Sequence, residues 1–390
     1  MGGGLIQLAA LGAQDVYITG DPDITFFKVV YKRHTNFARE NIQIQCEKPF
    51  ANGEKVTFEI SRNADMIGAM FLHFTTTEAP PTAGRNWDTY IDYVDILIGG
   101  KLIDRHYGKW LDIWHDLTVP DEKTGGPYLT FTDSGTPTAT TLSTSSGTYE
   151  MMGNKGPSNT ASPYDVFIPF QFWFNKNAGC ALPLISLQYN PVTIEVNFKA
   201  HDTGVNTLGG TTTADEYILV DYFYLDQQER TLLSKKGSEY LIEQVQYNGG
   251  DEPLNPVANA QCTMKMKFNH PVKEIIWQCF KINGDKITKT GDAHMMLNGT
   301  KLTNPHPSMN FNVIEPYKFH TRVPARGDIF LHSFALRPEE YQPSGTCNFS
   351  RIDNANLFIV ADAAIKTVDI YAVNYNILRI QSGMGALAFT

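Results

Sequence analysis

Little in this chain of 390 residues invites a redox or covalent reading. Its five cysteines, Cys46, Cys180, Cys262, Cys279 and Cys347, make an odd set, and no two stand at C-x-x-C spacing. No secretory signal precedes them, so they read as reduced thiols rather than bridges. No apolar run approaches the ~20 residues that span a bilayer. The opening MGGGLI has Ile6 where a myristoylation signal needs Ser or Thr. Positive charge is also scarce. Against 41 Asp and Glu there are 32 Lys and Arg, a formal net charge of −9, which argues against a general nucleic-acid binder. Only 19% of residues are charged while 12% are aromatic, a balance that suits sheets with extensive buried or mating surface.

Two stretches far apart in the chain look alike: ILIGGKLIDRH (96–106) and MMLNGTKLTNPH (295–306). A P-loop would explain a Gly-Lys pair, but that motif needs a Gly five residues before the second Gly and a hydroxyl after the Lys. Here Asp95 occupies the first position and Leu102 the last, and Thr300 splits the pair in the second copy. A carboxylate facing phosphate would repel it. Gly-Gly and Asn-Gly between apolar runs instead signal tight β-hairpins, whose two turn residues both need positive φ.

The surroundings of the two turns match as well. Upstream, Val56, Phe58 and Ile60 alternate with polar residues, as do Met264, Met266 and Phe268; each is a half-buried strand by its period of two. Downstream, DVFIPFQFWF (165–174) answers GDIFLHSFAL (327–336). LQYNPVTIEVNF (187–198) answers SRIDNANLFIVA (350–361), and EYILVDYFYLD (216–226) answers DIYAVNYNILRI (369–380). The order is the same in both halves, so the chain reads as a duplication. About eight strands fall in each half, near 41–47, 55–61, 66–75, 90–98, 101–106, 165–174, 191–199 and 216–225, then near 240–247, 262–268, 272–280, 293–297, 300–303, 327–336, 354–361 and 367–380. The fold class is therefore all-β: two consecutive eight-stranded antiparallel jelly-roll β-sandwiches, a double jelly roll, with short helices in loops. One helix is expected in YGKWLDIWHDL (107–117), where Trp110, Ile113, Trp114 and Leu117 share a face. Segment 226–238 is a polar connector.

Several constellations could carry chemistry, and each has a plainer explanation. Cys347 could act as a nucleophile with His332 or His320 as base, but nothing local lowers its pKa, and a small thiol ahead of a strand accounts for it. Asp112, His115 and Asp116 share a helix face with metal-ligand spacing, yet they select no metal clearly and read as a solvated face. Glu195 and Asp221, both on late strands, could pair as in glycoside hydrolysis, or simply point to solvent. Cupin-type oxygenases, which also use this sandwich, typically need a His-x-His pair, and none occurs. Lys28, Lys32, Arg33, His34 and Arg39 interleave with Phe26, Phe27, Tyr31 and Phe37, as in a single-strand binder; on an acidic chain, subunit contacts or anionic headgroups suit the patch better. Asn298-Gly299-Thr300 and Asn348-Phe349-Ser350 fit the glycosylation pattern, and neither is expected to be used. Residues 4–13 carry Leu5, Leu8 and Ala9 at helical spacing and read as an arm tucked under a neighbouring subunit. No catalytic, cofactor-binding or metal residues are assigned, and no cofactor is expected.

Specific blocks carry a resemblance. GGGLIQLAALGAQDVYITGDPDITFFKVVYKRHTNFA (2–38), CALPLISLQYNPV (180–192), DYFYLDQQER (221–230), PSGTCNFSRIDNA (343–355) and YAVNYNILRIQSGMGALAF (371–389) are similar to the major capsid proteins of nucleocytoplasmic large DNA viruses, in the algal-virus and mimivirus-like branch. The resemblance implies a non-enzymatic double jelly roll forming a homotrimeric, pseudo-hexagonal capsomer in an icosahedral shell over an internal membrane. Segments 107–163 and 304–326 take the place of the outer crown. The implied partners are further copies of the chain, then minor capsid and penton proteins, with the membrane reached through the N-terminal arm and no direct nucleic acid. Assembly is expected in the host cytoplasm. The implied division is an arm at 1–25, a first jelly roll at 26–226, a linker at 227–238 and a second jelly roll at 239–390. A carbohydrate-binding or host-attachment sandwich is the alternative from another class.

Overall fold

A computed structural model describes residues 33–46, 48, 50–51, 53–76, 90–120, 129–131, 137–139, 164–200, 216–235, 237–249, 258, 260–281, 284–288, 290–324, 327–361 and 364–389, with isolated positions at 6, 9, 10, 12, 19 and 21. Contacts divide the chain into Met1–Phe37 and Ala38–Thr390. Within the first unit, Ala10 N donates to Ile6 O at 2.9 Å, one turn of helix. The strands belong to the second unit, apart from the first residue of β1.

The earlier half supplies Phe37–Gln45 (β1), Lys55–Glu59 (β2), Met66–Thr76 (β3), Ile91–Ile98 (β4), Lys101–Tyr107 (β5), Tyr164–Pro169 (β6), Val192–Phe198 (β7) and Tyr217–Leu225 (β8). The later half supplies Ser238–Asn248 (β9), Gln261–Met266 (β10), Pro271–Phe280 (β11), Thr290–Leu297 (β12), Thr300–Lys301 (β13), Phe330–Ser333 (β14), Ala355–Ala361 (β15) and Thr367–Gln381 (β16). Their order is β1-β8-β3-β6 facing β2-β7-β4-β5, then β9-β16-β11-β14 facing β10-β15-β12-β13. Adding eight to every label of the first sandwich reproduces the second. The register repeats too: Ile194 of β7 lies between Phe58 and Ile96, as Leu357 of β15 lies between Met264 and Met295.

Period-two patterning explains most of this. In β2 the buried Val56 and Phe58 alternate with exposed Lys55, Thr57 and Glu59, and β7 buries every second residue from Val192 to Phe198. The inward residues fill one core per sandwich, each fully buried aliphatic or Phe side chain contributing roughly 1.5–3 kcal/mol. Both hairpins form as expected. Gly99 and Gly100 have φ of 60° and 77°, Asn298 and Gly299 of 48° and 81°. A Cβ on Gly99 would also lie 2.7 Å from Asn190 Cγ, so that turn has no room for a side chain.

Some expectations need correction. The strand read over 165–174 stops at Pro169, and Trp173–Lys176 forms a turn of helix held by Phe172 N donating to Asn175 Oδ1 at 3.2 Å. Its counterpart over 327–336 shrinks to Phe330–Ser333. The polar connector contains a helix, Gln227–Lys235 (α2), which follows Gly108–Thr118 (α1) in the chain. Helical residues also occupy Asn310–Ile314 and Glu315–Phe319 (α3), which patterning did not reveal. Much of 121–163, and all of Lys28, Lys32, Phe26, Phe27 and Tyr31, lie outside the described residues.

Candidate functional site: the seam between the sandwiches

The helix α1 begins directly after β5 and is buried nearly all round. Leu111 points into the first core, while Trp110, Ile113, Trp114 and Leu117 pack on the outer face of the second sandwich against Ile276, Ile329, Leu331, Tyr371 and Val373. Trp110 lies 5.5 Å from Tyr371, and Tyr107 4.4 Å from Tyr247, between ring centroids. This explains why β11 is buried on both faces: Val272, Ile275, Trp277 and Cys279 fill its own core, and Ile276 meets α1.

Polar groups lock the same seam. Gln244 of β9 donates to the Ile103 carbonyl, and Val245 N to Asp104 Oδ1 at 3.1 Å. Lys109 meets Asp369 at 2.7 Å, and Tyr247 donates to the other oxygen of that carboxylate. Beneath Trp114 sits an ionic group. Lys176 of the first sandwich and the fully buried Lys273 of the second share the carboxylate of Glu243, at 3.0 and 2.5 Å. Burial pushes the Lys273 ammonium down while Glu243 pulls it back; burial also opposes ionised Glu243, but the two lysines outweigh it and hold that carboxyl below its usual range. Alongside, His320 is gripped by Glu274 at 2.9 Å and Glu339 at 3.0 Å. Burial is the largest single influence on the imidazole and disfavours its charge, yet the two carboxylates together push it up to about 9.

Patterning missed this group because Lys273 and Glu274 sit inside the run VKEIIWQCF, which reads as a continuously apolar strand. The adjoining pair was the available signal, since charges inside such a run must find partners when buried.

The residues singled out from sequence do not converge. Asp112 and His115, expected on a solvated face, are each only 2% exposed, because α1 is packed on both sides; Asp116 is half-buried. Among the described residues no three His, Cys, Asp or Glu groups gather as a metal site. Glu195 pairs with Lys55 at 3.0 Å in one sheet, while Asp221 accepts from Asn41 at 2.8 Å in the opposite sheet, so they form no catalytic pair. Burial raises the Cys347 thiol, and its suggested bases are engaged by carboxylates: His320 as above and His332 by Glu315 at 3.5 Å. Asn298 Oδ1 accepts from the backbone of Asp353 and Asn354, and Asn348 Oδ1 from Ser350 N, so both sequon asparagines brace turns.

Two same-order jelly rolls welded through a buried seam define a double jelly-roll protein. Comparisons with known proteins specify which. A family model described as large eukaryotic DNA virus major capsid protein matches residues 229–386, and one described as major capsid protein N-terminus matches residues 25–233. The major capsid protein of Pyramimonas orientalis virus is 41% identical and that of Paramecium bursaria Chlorella virus 1 is 34% identical, each over the whole of both chains. The crystal structure of PBCV-1 VP54 superposes with a TM-score of 0.77 at 30% identity, covering 94% of this chain and all of that one. The Faustovirus major capsid protein shares the fold, with a TM-score of 0.71 at 12% identity. The chain belongs to the major capsid protein family of large eukaryotic DNA viruses. Its relatives are components of the virion shell, not enzymes.

Proposed function

We propose that the chain assembles as a homotrimeric, pseudo-hexagonal capsomer, the repeating tile of an icosahedral shell. The observation that carries this reading is the welded pair of sandwiches with one topology. Two like blocks joined rigidly give one subunit two similar outer edges, so three subunits approximate six equal sides. The working division is an arm at 1–25, a first jelly roll at 26–226, a linker at 227–238 and a second jelly roll at 239–390. The arm reaches beneath a neighbouring subunit toward the membrane. Minor capsid and penton proteins join the capsomers, and assembly takes place in the host cytoplasm.

Contacts within the capsomer are large and apolar-cored, of the ~2,000–5,000 Å² class typical of obligate interfaces. Those between capsomers are smaller and more polar, so that a growing shell can correct errors. Negative-stain images of the purified protein test this directly. Three-lobed particles with a hexagonal outline are expected, and a lone subunit at micromolar concentration would refute the reading.

A further inference from the structure

Asn298-Gly299 is one of four Asn-Gly pairs in the chain, with Asn52-Gly53, Asn248-Gly249 and Asn283-Gly284. Asn52 and Asn283 lie outside the described residues. An Asn-Gly pair is open to a reaction that other pairs resist. Glycine carries no side chain to shield its backbone nitrogen or restrict its dihedrals, so that nitrogen can approach the amide carbon of the preceding asparagine. How each asparagine is held then decides how readily it reacts.

The side-chain oxygen of Asn298, Oδ1, accepts two backbone N–H bonds, from Asp353 and Asn354, each at 3.1 Å. The Asn298 N–H donates back to the Asn354 carbonyl at 2.7 Å. Two donors on one oxygen settle which way the amide points, and they leave its nitrogen on the other side. Among the described residues, neither that nitrogen nor the Gly299 N–H has a hydrogen-bond partner. The turn is exposed, and a Cβ placed on Gly299 would meet nothing within 4 Å. Asn248 is held the opposite way. Only 9% exposed, it donates its amide nitrogen to the Lys265 carbonyl at 2.9 Å.

We propose that the Asn298-Gly299 turn is a self-modification site, at which the asparagine is converted to aspartate or isoaspartate. The Gly299 nitrogen loses its proton to solvent and attacks Cγ of Asn298. The amide nitrogen takes up a proton and leaves as ammonia, closing a five-membered succinimide. Water then opens the ring at one carbonyl or the other, so a carboxylate replaces the amide and nothing is oxidised or reduced. Asp353 N and Asn354 N stand where an oxyanion hole places its donors, ~2.7–3.1 Å from the oxygen that gains charge as the nitrogen attacks. An aspartate at 298 keeps both bonds, now to a charged acceptor. An isoaspartate adds a methylene to the main chain of a two-residue turn and disrupts the Leu297–Thr300 pairing. The corresponding turn of the first sandwich, Gly99-Gly100, has no amide to lose, so the change is confined to one copy of the motif.

Peptide mass mapping of the purified full-length protein, aged at neutral pH either folded or in guanidinium chloride, is the test. Conversion is read as the mass gain from amide to acid, and isoaspartate by the methyl group that an isoaspartyl methyltransferase adds to it. In the denatured chain the four pairs should convert at similar rates. In the folded chain Asn298 should convert about tenfold faster than in denaturant, a small part of the ~10²–10³ that one oxyanion donor supplies in an enzyme. Folding should slow Asn248. Asn354→Pro removes one donor and should slow Asn298 in the folded chain while leaving its denatured rate unchanged. Should that variant not fold, the folded-to-denatured ratio of wild type decides alone. A folded rate for Asn298 equal to or below its denatured rate overturns the proposal, because the two hydrogen bonds would then pin the amide rather than activate it.

Discussion

Lys273 shows how far single residues here depart from surface chemistry. A cation with none of its surface in water survives because Glu243, the Pro338 carbonyl and nearby Tyr375 and Trp114 rings replace hydration. Burying such a pair gains little by itself, but removing one partner typically costs about 3–5 kcal/mol. His320 offers the cleaner experiment. Its folded pKa, about 9, lies above the ordinary imidazole value, so its contribution to stability is complete below about pH 6.5 and is lost as pH rises through 9. Grip by Glu274 and Glu339 makes that contribution on the order of 3 kcal/mol. Chemical denaturation of wild type between pH 6 and 10 should therefore show falling stability toward the alkaline end, and the His320→Gln variant a flatter profile. Equal slopes would mean the imidazole is neutral when folded. None of this could be read from the sequence, where His320 stands alone; its carboxylates come from 46 residues upstream and 19 downstream.

Among the elements, strands with one wet face announced themselves by alternation, and hairpins by Gly-Gly and Asn-Gly. Elements with two buried faces were placed as well, but their second buried face was not. On α1 the apolar stripe was visible, but Asp112 and His115 look like any solvated face until the second sandwich is laid against them. The segment 310–319 hides for another reason. Pro316 interrupts its pattern, and the first part closes a π-type turn rather than an α-turn. Trp114 is the residue on which the seam most depends, since it packs on the second sandwich and carries Lys176 over its ring at 4.0 Å. Trp114→Ala should lower unfolding stability by about 3–5 kcal/mol, visible as an earlier denaturation midpoint. A loss under ~1 kcal/mol, the range of ordinary surface changes, would show that the halves hold together without it.

At the scale of the whole molecule, duplication was readable because order survives where identity fades: matching strands recur in sequence although few of their residues agree. What could not be read was how the halves meet, since Lys109 and Asp369 are 260 positions apart and no local pattern links them. The seam makes a further claim about independence. Residues 239–390 expressed alone should bind a hydrophobic dye and self-associate, because Ile276, Ile329, Leu331, Tyr371 and Val373 would lose their cover. A soluble, dye-silent, monomeric product would contradict that expectation.

The burial of α1 also bears on history. Once one twin's helix had sunk into its sibling, the twins ceased to be interchangeable: one became guest, the other host. Neither can now be deleted, swapped or inherited separately without exposing a wound in the survivor. A doubling that began as redundancy thus hardened into mutual dependence.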